Sequence, residues 1–328
     1  MFYSIRHITK FKYGAPIHEN VMDARMHPCT DDHQQCLNFY LHVRPATSVF
    51  SYQDYLNNTI HHFNIPGLHT ELSVTAEATV QMTAPLALPA MLSEEAWAAV
   101  DQSSTDMAHW EMVMPSTFTP VTPALLALAD ELKIERRTDP LTVLRELNSV
   151  LNRTFAYVPK ATRVDSPIDE AIAQRRGVCQ DYAHIMLALV RNVLRMPCRY
   201  VSGYLYHNQT DRSTSGATHA WVEVLLPDLG WVGFDPTNDL IASERHIRVA
   251  VGRDYNDVPP TQGVFKGKAS SELSVSVHVR RTDDLALIED SAFHGAEPSA
   301  APAVVSYVSP PALDWQEQLE QQQQQQQQ

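Results

Sequence analysis

One segment limits the fold more than any other. In the run Arg176-Gly177-Val178-Cys179-Gln180-Asp181-Tyr182-Ala183-His184, a glycine stops one helix and a cysteine starts the next. Apolar residues then recur at Tyr182, Ala183, Met186, Leu187, Val190 and Leu194, the spacing of one buried helical face. Pro197 ends the pattern. The spacing therefore predicts a core helix that opens on a thiol, where unpaired N–H groups and the helix dipole favour negative charge. Arg191 and Arg195 fall near its end, where cations suit the dipole. A preceding helix is expected from Pro167 to Arg176, with Ser166 as N-cap, Asp169 and Glu170 in the first turn, and Gly177 after its end.

Beyond Pro197 the period changes. Cys198 to Tyr206 is rich in β-branched and aromatic residues and reads as a strand. A polar run from Asn208 to Gly216 forms a hairpin loop, and His219 to Leu226 returns. His219, Trp221 and Glu223 share one face of that strand. Trp231 to Phe234 is a third strand, with Asp235 where Pro236 ends it. Cysteine, histidine and aspartate then follow in chain order as a nucleophile, a base and an orienter. Taken singly, a packed thiol, a strand histidine and a turn aspartate would be the simpler readings; the ordered set carries the argument.

The segments Gly-Val-Cys-Gln-Asp-Tyr-Ala-His, His-Ala-Trp-Val-Glu and Phe-Asp-Pro-Thr-Asn resemble the transglutaminase-like superfamily, and most closely its bacterial branch. The resemblance extends from the first strand to about residue 281 and includes Arg253 to Pro260 and Gly263-Val264. It implies an α+β fold: a papain-like, transglutaminase-like core with an N-terminal β-sandwich-like domain. It also implies Cys179 as nucleophile, His219 as base and Asp235 as orienter. The expected chemistry is acyl transfer through a thioester, on a peptide or protein substrate. Release by water would make a peptidase or amidase, the outcome that the bacterial domain order favours. Release by an amine would make a transglutaminase. A non-catalytic scaffold on the same fold is the third reading. The Cys179 N–H is the first candidate oxyanion donor. Gln174 and Tyr157 are conceivable as the second, with nothing in the sequence to choose between them.

Short alternating stretches fill residues 1–85, the N-terminal domain. One face of the first holds Tyr3, Ile5, His7, Thr9, Phe11 and Tyr13; another stretch holds Leu72, Val74, Ala76, Ala78 and Val80. Residues 86–122 read as a connector with a short helix at Glu94 to Val100. The core is expected over 123–281. It opens with amphipathic helices at Pro123 to Ile134 and Pro140 to Leu151, the second capped by Asp139. His246 to Val251 and Leu273 to Val279 are expected to close its sheet. Residues 282–328, ending in eight glutamines, read as a disordered acidic and Gln-rich tail.

The formal net charge of −13 comes without a basic stripe, which argues against nucleic acid and anionic membrane surfaces and favours a cationic or neutral substrate. No run approaches about 18 apolar residues. Four cysteines in 328 residues suggest no disulfide scaffold. The expected compartment is cytoplasmic. No calcium loop is evident. His27, Cys29, His33 and Cys36 are metal-ligand types in a short span, but their spacing matches no common zinc pattern, so no metal or other cofactor is expected. Oligomeric state is not legible.

Overall fold

The computed structural model describes residues 1–84 and 87–282, with the backbone of Tyr307–Val308. The N-terminal part is all strand: β1 (Phe2–Ala24), β2 (Gln34–Arg44), β3 (Val49–Gln53), β4 (Thr59–Ile65) and β5 (His69–Met82). Four helices follow: α1 (Ala96–Thr105), α2 (Trp110–Val113), α3 (Pro123–Leu132) and α4 (Pro140–Thr154). Then come β6 (Ala156–Tyr157), α5 (Ile168–Gln174), β7 (Arg176–Gly177) and α6 (Cys179–Asn192). The remaining strands are β8 (Cys198–Leu205), β9 (His219–Leu226), β10 (Gly230–Asp235), β11 (Leu240–Ile241), β12 (His246–Gly252), β13 (Thr261–Lys266), β14 (Ser271–Thr282) and β15 (Tyr307–Val308).

β1 is long because it serves two layers. Its first half pairs with β5 on one side and β14 on the other; after an irregularity between Lys12 and Ile17, its second half pairs with β4 and β13. Phe63 and Ile65 of β4 pack against Leu72, Val74 and Ala76 of β5, filling the space between the layers as in a sandwich. The alternation expected for the first strand holds: Tyr3, Ile5, His7 and Thr9 are buried.

The second sheet runs β11-β10-β9-β8-β12, antiparallel throughout. Helix α6 lies against it and is buried almost from end to end, from Asp181 to Arg191. One apolar cluster joins α6, α3, α4 and this sheet to Tyr3, Ile5, Val80 and Met82 of the N-terminal strands. Two buried amides seal the outer edge of β12. Gln34 exchanges hydrogen bonds with the backbone of Arg248, and Asn58 does the same with Val251, all at 2.8 Å. The backbone groups that an edge strand leaves open are thus satisfied from the N-terminal layer.

Several expectations change. His246 to Val251 joins the core sheet as expected, but Leu273 to Val279 does not: β14 pairs with β1 along its length, from Tyr13 opposite Ser271 to Phe2 opposite Thr282. Alternation identifies a strand and its faces but not its partner. Ser166 is not the cap of α5; Pro167 takes that position, and the Ser166 hydroxyl accepts from the Arg163 N–H instead. Arg191 lies in the last turn of α6, as expected, and is also tied down there. It is fully buried, and its guanidinium donates to the carbonyls of Met112, Cys198 and Arg253 and to the Thr119 hydroxyl. Residues 283–306 and 309–328 of the expected tail lie outside the described residues; Tyr307–Val308 pairs with Glu272 and Leu273 of β14. Among the described residues, no helix is long and apolar enough to cross a membrane.

Candidate active site

Cys179 occupies the first position of α6 and is half-buried. Two residues earlier, Gly177 lies in β7, paired in parallel with Tyr157 of β6. The helix before it closes on Arg175, in the left-handed region at φ 52°. The glycine is therefore needed for space rather than to stop a helix. A Cβ on Gly177 would lie 2.6 Å from Oδ2 of Asp181. That carboxylate accepts from the Val178 N–H at 2.7 Å and from the Thr162 hydroxyl at 2.6 Å, fixing how the chain enters α6. Burial is the main influence on Asp181 and raises its pKa against these hydrogen bonds.

His219 opens β9 and Asp235 closes β10. With Phe234 opposite Val222, the register brings Asp235 within diagonal reach of His219. Nε2 of His219 lies 2.8 Å from Oδ2 of Asp235, and both side chains are sealed from solvent. That bond leaves Nδ1 unspent on Asp235, and Cys179 lies near enough to the ring for its charge to help raise the His219 pKa, after burial and Asp235. The structure thus brings together the three residues singled out in the sequence.

Burial alone would push the His219 pKa down and the Asp235 pKa up. Their mutual attraction, by charge and hydrogen bond, outweighs this: the imidazole is raised and the carboxyl is held well below the usual carboxylate range. Asp235 thus stays a carboxylate, and the imidazole beside it is primed to take up a proton.

Asp235 has more partners than the sequence suggested. Its Oδ1 accepts from the N–H groups of Thr237 and Asn238, and its Oδ2 also accepts from the Asn238 side-chain amide at 2.8 Å. A second histidine, His246, reaches the same Oδ2 at 3.2 Å. The Ser243 N–H points at Nδ1 of His246, so Nε2 carries the proton that His246 gives to Asp235. Burial, foremost, lowers the pKa of His246 and keeps it neutral. Trp221 lies edge-on to His246, with ring centroids 5.3 Å apart, and fits because Gly203 has no Cβ: one there would meet Trp221 at 2.5 Å and the Ile247 carbonyl at 2.3 Å. Asn238 stood inside a quoted motif without a role. His246 carried no local signal, since only the strand order β9-β8-β12 sets it near Asp235.

Of the conceivable second oxyanion donors, Gln174 is exposed and engaged with Glu170 and Arg176. Tyr157 is close enough to the thiol for a charge on Cys179 to contribute, after burial, to raising the phenol pKa. His27, Cys29, His33 and Cys36 do not converge on one point. Cys29 contacts Gln34, Asp31 and Arg248, while His27 packs on Phe39 and His61. Among the described residues, the ligand-type groups that converge are His219, Asp235 and His246, and those atoms are spent on one another.

Comparison with known proteins agrees with this architecture. Residues 3–81 match the bacterial transglutaminase-like N-terminal region, and residues 127–236 match the transglutaminase-like superfamily core. An uncharacterized protein of Mycobacterium leprae is 31% identical over 278 residues, covering 84% of this chain and 97% of its own. A protein-glutamine gamma-glutamyltransferase of Pseudomonas aeruginosa is 35% identical over 136 residues, 38% of this chain and 19% of its own. A solved structure of a candidate cysteine protease from Cytophaga hutchinsonii superposes with a TM-score of 0.68 at 20% identity, over 87% of this chain and 92% of its own, a likeness of fold.

Proposed function

The chain belongs to the transglutaminase-like superfamily, and from that premise we propose that it is a cysteine-dependent acyl-transfer enzyme that hydrolyses peptide or amide bonds. The observation that carries this reading is the sealed His219–Asp235 pair standing against a half-buried thiol at a helix start. Nδ1 of His219 takes the Cys179 proton, and the thiolate attacks the substrate carbonyl carbon. The Cys179 N–H, which has no acceptor within its own helix, donates to the oxyanion. As the tetrahedral species collapses, His219 returns the proton to the leaving amine and a thioester remains. Water, deprotonated by His219, then attacks the thioester and frees the acid and Cys179. Asp235 holds the ring so that Nδ1 faces the thiol, and it favours the imidazolium formed in each step.

Hydrolysis is favoured because Cys179 is half-buried, so water can reach a thioester there. Transamidation is the second reading, favoured by the core's similarity to the Pseudomonas aeruginosa gamma-glutamyltransferase. Mass spectrometry of a mixed peptide library, incubated with wild type and Cys179→Ala, with and without a primary amine, separates the two. Cleaved peptides absent from the variant's reaction support hydrolysis. Loss of ammonia with gain of the amine would establish transamidation. Products equal in both proteins would remove Cys179 from the chemistry.

A further inference from the structure

A cleft of 540 Å3 opens over β6, and its charge is the opposite of the chain's. Arg153, Arg175 and Arg212 line it together with Phe155 and Tyr157, and no carboxylate does. One lining residue, Tyr157, ties the cleft to the segment that leads into Cys179 and lies near enough to feel a charge on that thiol. Tyr157 sits opposite Gly177 in the β6–β7 pair, the Val158 N–H donates to the Gly177 carbonyl at 3.0 Å, and Cys179 follows two residues later. The Tyr157 hydroxyl bonds to Thr214 at the cleft's edge.

The three guanidinium groups are held differently. Arg175 lies over the Phe155 ring, 5.7 Å from its centroid, and pairs through one nitrogen with Glu131. Its other terminal nitrogen, Nη1, is buried with no hydrogen-bond acceptor among the described residues. Arg212 uses Nη1 on the carbonyls of Asn152 and Phe155, which fixes its guanidinium at the wall. Arg153, in the last turn of α4, is exposed and has no ion-pair partner among the described residues. Three guanidinium groups, one of them paired with Glu131, give the cleft a positive potential that favours an occupant of opposite sign.

We propose that this cleft receives a carboxylate of the substrate, so that the enzyme acts on amides or peptides carrying a negative charge beside the bond to be broken. The inference rests on the acyl-transfer reading and adds its substrate class. It departs from what net charge suggests, because three local arginines set the potential at the cleft while distant carboxylates are screened beyond about 8 Å at physiological salt.

Three near-isosteric thiol reagents test it on the full chain: iodoacetyl-glutamine amide, which is neutral; iodoacetyl-glutamate amide, with a side-chain carboxylate; and iodoacetyl-glutamine, with a main-chain carboxylate. The rate at Cys179 is read by peptide mapping and divided by the rate of each reagent with free cysteine. A carboxylate reagent should be favoured over the neutral one by about fivefold or more, and the preferred carboxylate reveals which source the cleft reads. That advantage should fall towards unity in Arg153→Gln, invert in Arg153→Glu, partly survive in Arg153→Lys and shrink as salt is raised. Equal normalised rates for all three reagents would overturn the proposal, as would an advantage untouched in both Arg153→Glu and Arg212→Gln. No selective reaction at Cys179 with any reagent would instead overturn the acyl-transfer reading, and this inference with it.

Discussion

Nε2 of His246 stands 3.2 Å from the same Asp235 oxygen that holds His219 at 2.8 Å. One buried carboxylate oxygen thus accepts from two histidines, one raised towards imidazolium and one kept neutral. Removing the second donor leaves more of the carboxylate's charge for His219. His246→Phe should therefore raise the pKa of the His219 transition in the pH profile of kcat/KM and lower its plateau by about tenfold. His246→Gln, which keeps a donor, should restore the profile. If both variants show the wild-type profile with only reduced thermal stability, His246 is structural and does not position the pair.

Gly177→Ala tests the entry to α6. The added methyl would lie 2.6 Å from the Asp181 carboxylate, which in turn holds the Val178 N–H. Either Asp181 moves or Cys179 does. The expected cost is about 1–3 kcal/mol of stability, with a loss of kcat of about a hundredfold from displacement of the thiol. Wild-type turnover from Gly177→Ala would mean that the Asp181 bridge has no hold on the nucleophile.

His7 predicts a pH dependence of stability. It is buried between Tyr204 and Thr9, and desolvation lowers its pKa to about 3. The unfolded chain, with its histidine near about 6.5, binds more protons below that pH than the folded chain does. The stability contributed by the neutral ring is present above about pH 6.5 and is lost as pH falls towards 3. Denaturant unfolding of wild type and His7→Gln between pH 4 and 8 checks this, written as the difference between the two proteins. The wild type should lose ground as the solution is acidified; a difference that does not vary with pH would contradict the assignment.

Arg191 ties α6 to three other segments through carbonyls at Met112, Cys198 and Arg253. Arg191→Met fills the volume but leaves those acceptors buried without donors. We expect a loss of about 3 kcal/mol or more, read as a lower denaturant midpoint at an unchanged m-value. A midpoint close to wild type would mean that water replaces the guanidinium.

The local parts of this fold were legible because local rules govern them. Asp139 caps α4 through the N–H groups of Leu141 and Thr142, because a short polar side chain before a proline-led turn satisfies the first free N–H groups. The helix at Cys179 and the strands bearing His219 and Asp235 followed from period alone. What escaped depends on which strands become neighbours. His246 meets Asp235 only because β8 sits between β9 and β12. β14 completes the β1 layer rather than the core sheet because pairing is decided between distant segments. Arg191 is the helix-end cation its position suggested, but nothing in its own helix indicates the carbonyls that surround it. The arginine cleft draws on three segments far apart in the chain, so total charge concealed it.

The central claim is that Cys179 carries the acyl group, with His219 and Asp235 activating it. Its most direct test is rapid-quench intact-mass measurement during turnover of an activated ester, with peptide mapping of the adduct, on wild type, Cys179→Ala and Asp235→Asn. The account predicts an acyl mass on Cys179 of the wild type, discharged by hydroxylamine, absent from Cys179→Ala, and formed about a thousandfold or more slowly in Asp235→Asn. Turnover in Cys179→Ala at the wild-type rate, or an acyl group mapped to another residue, would contradict it.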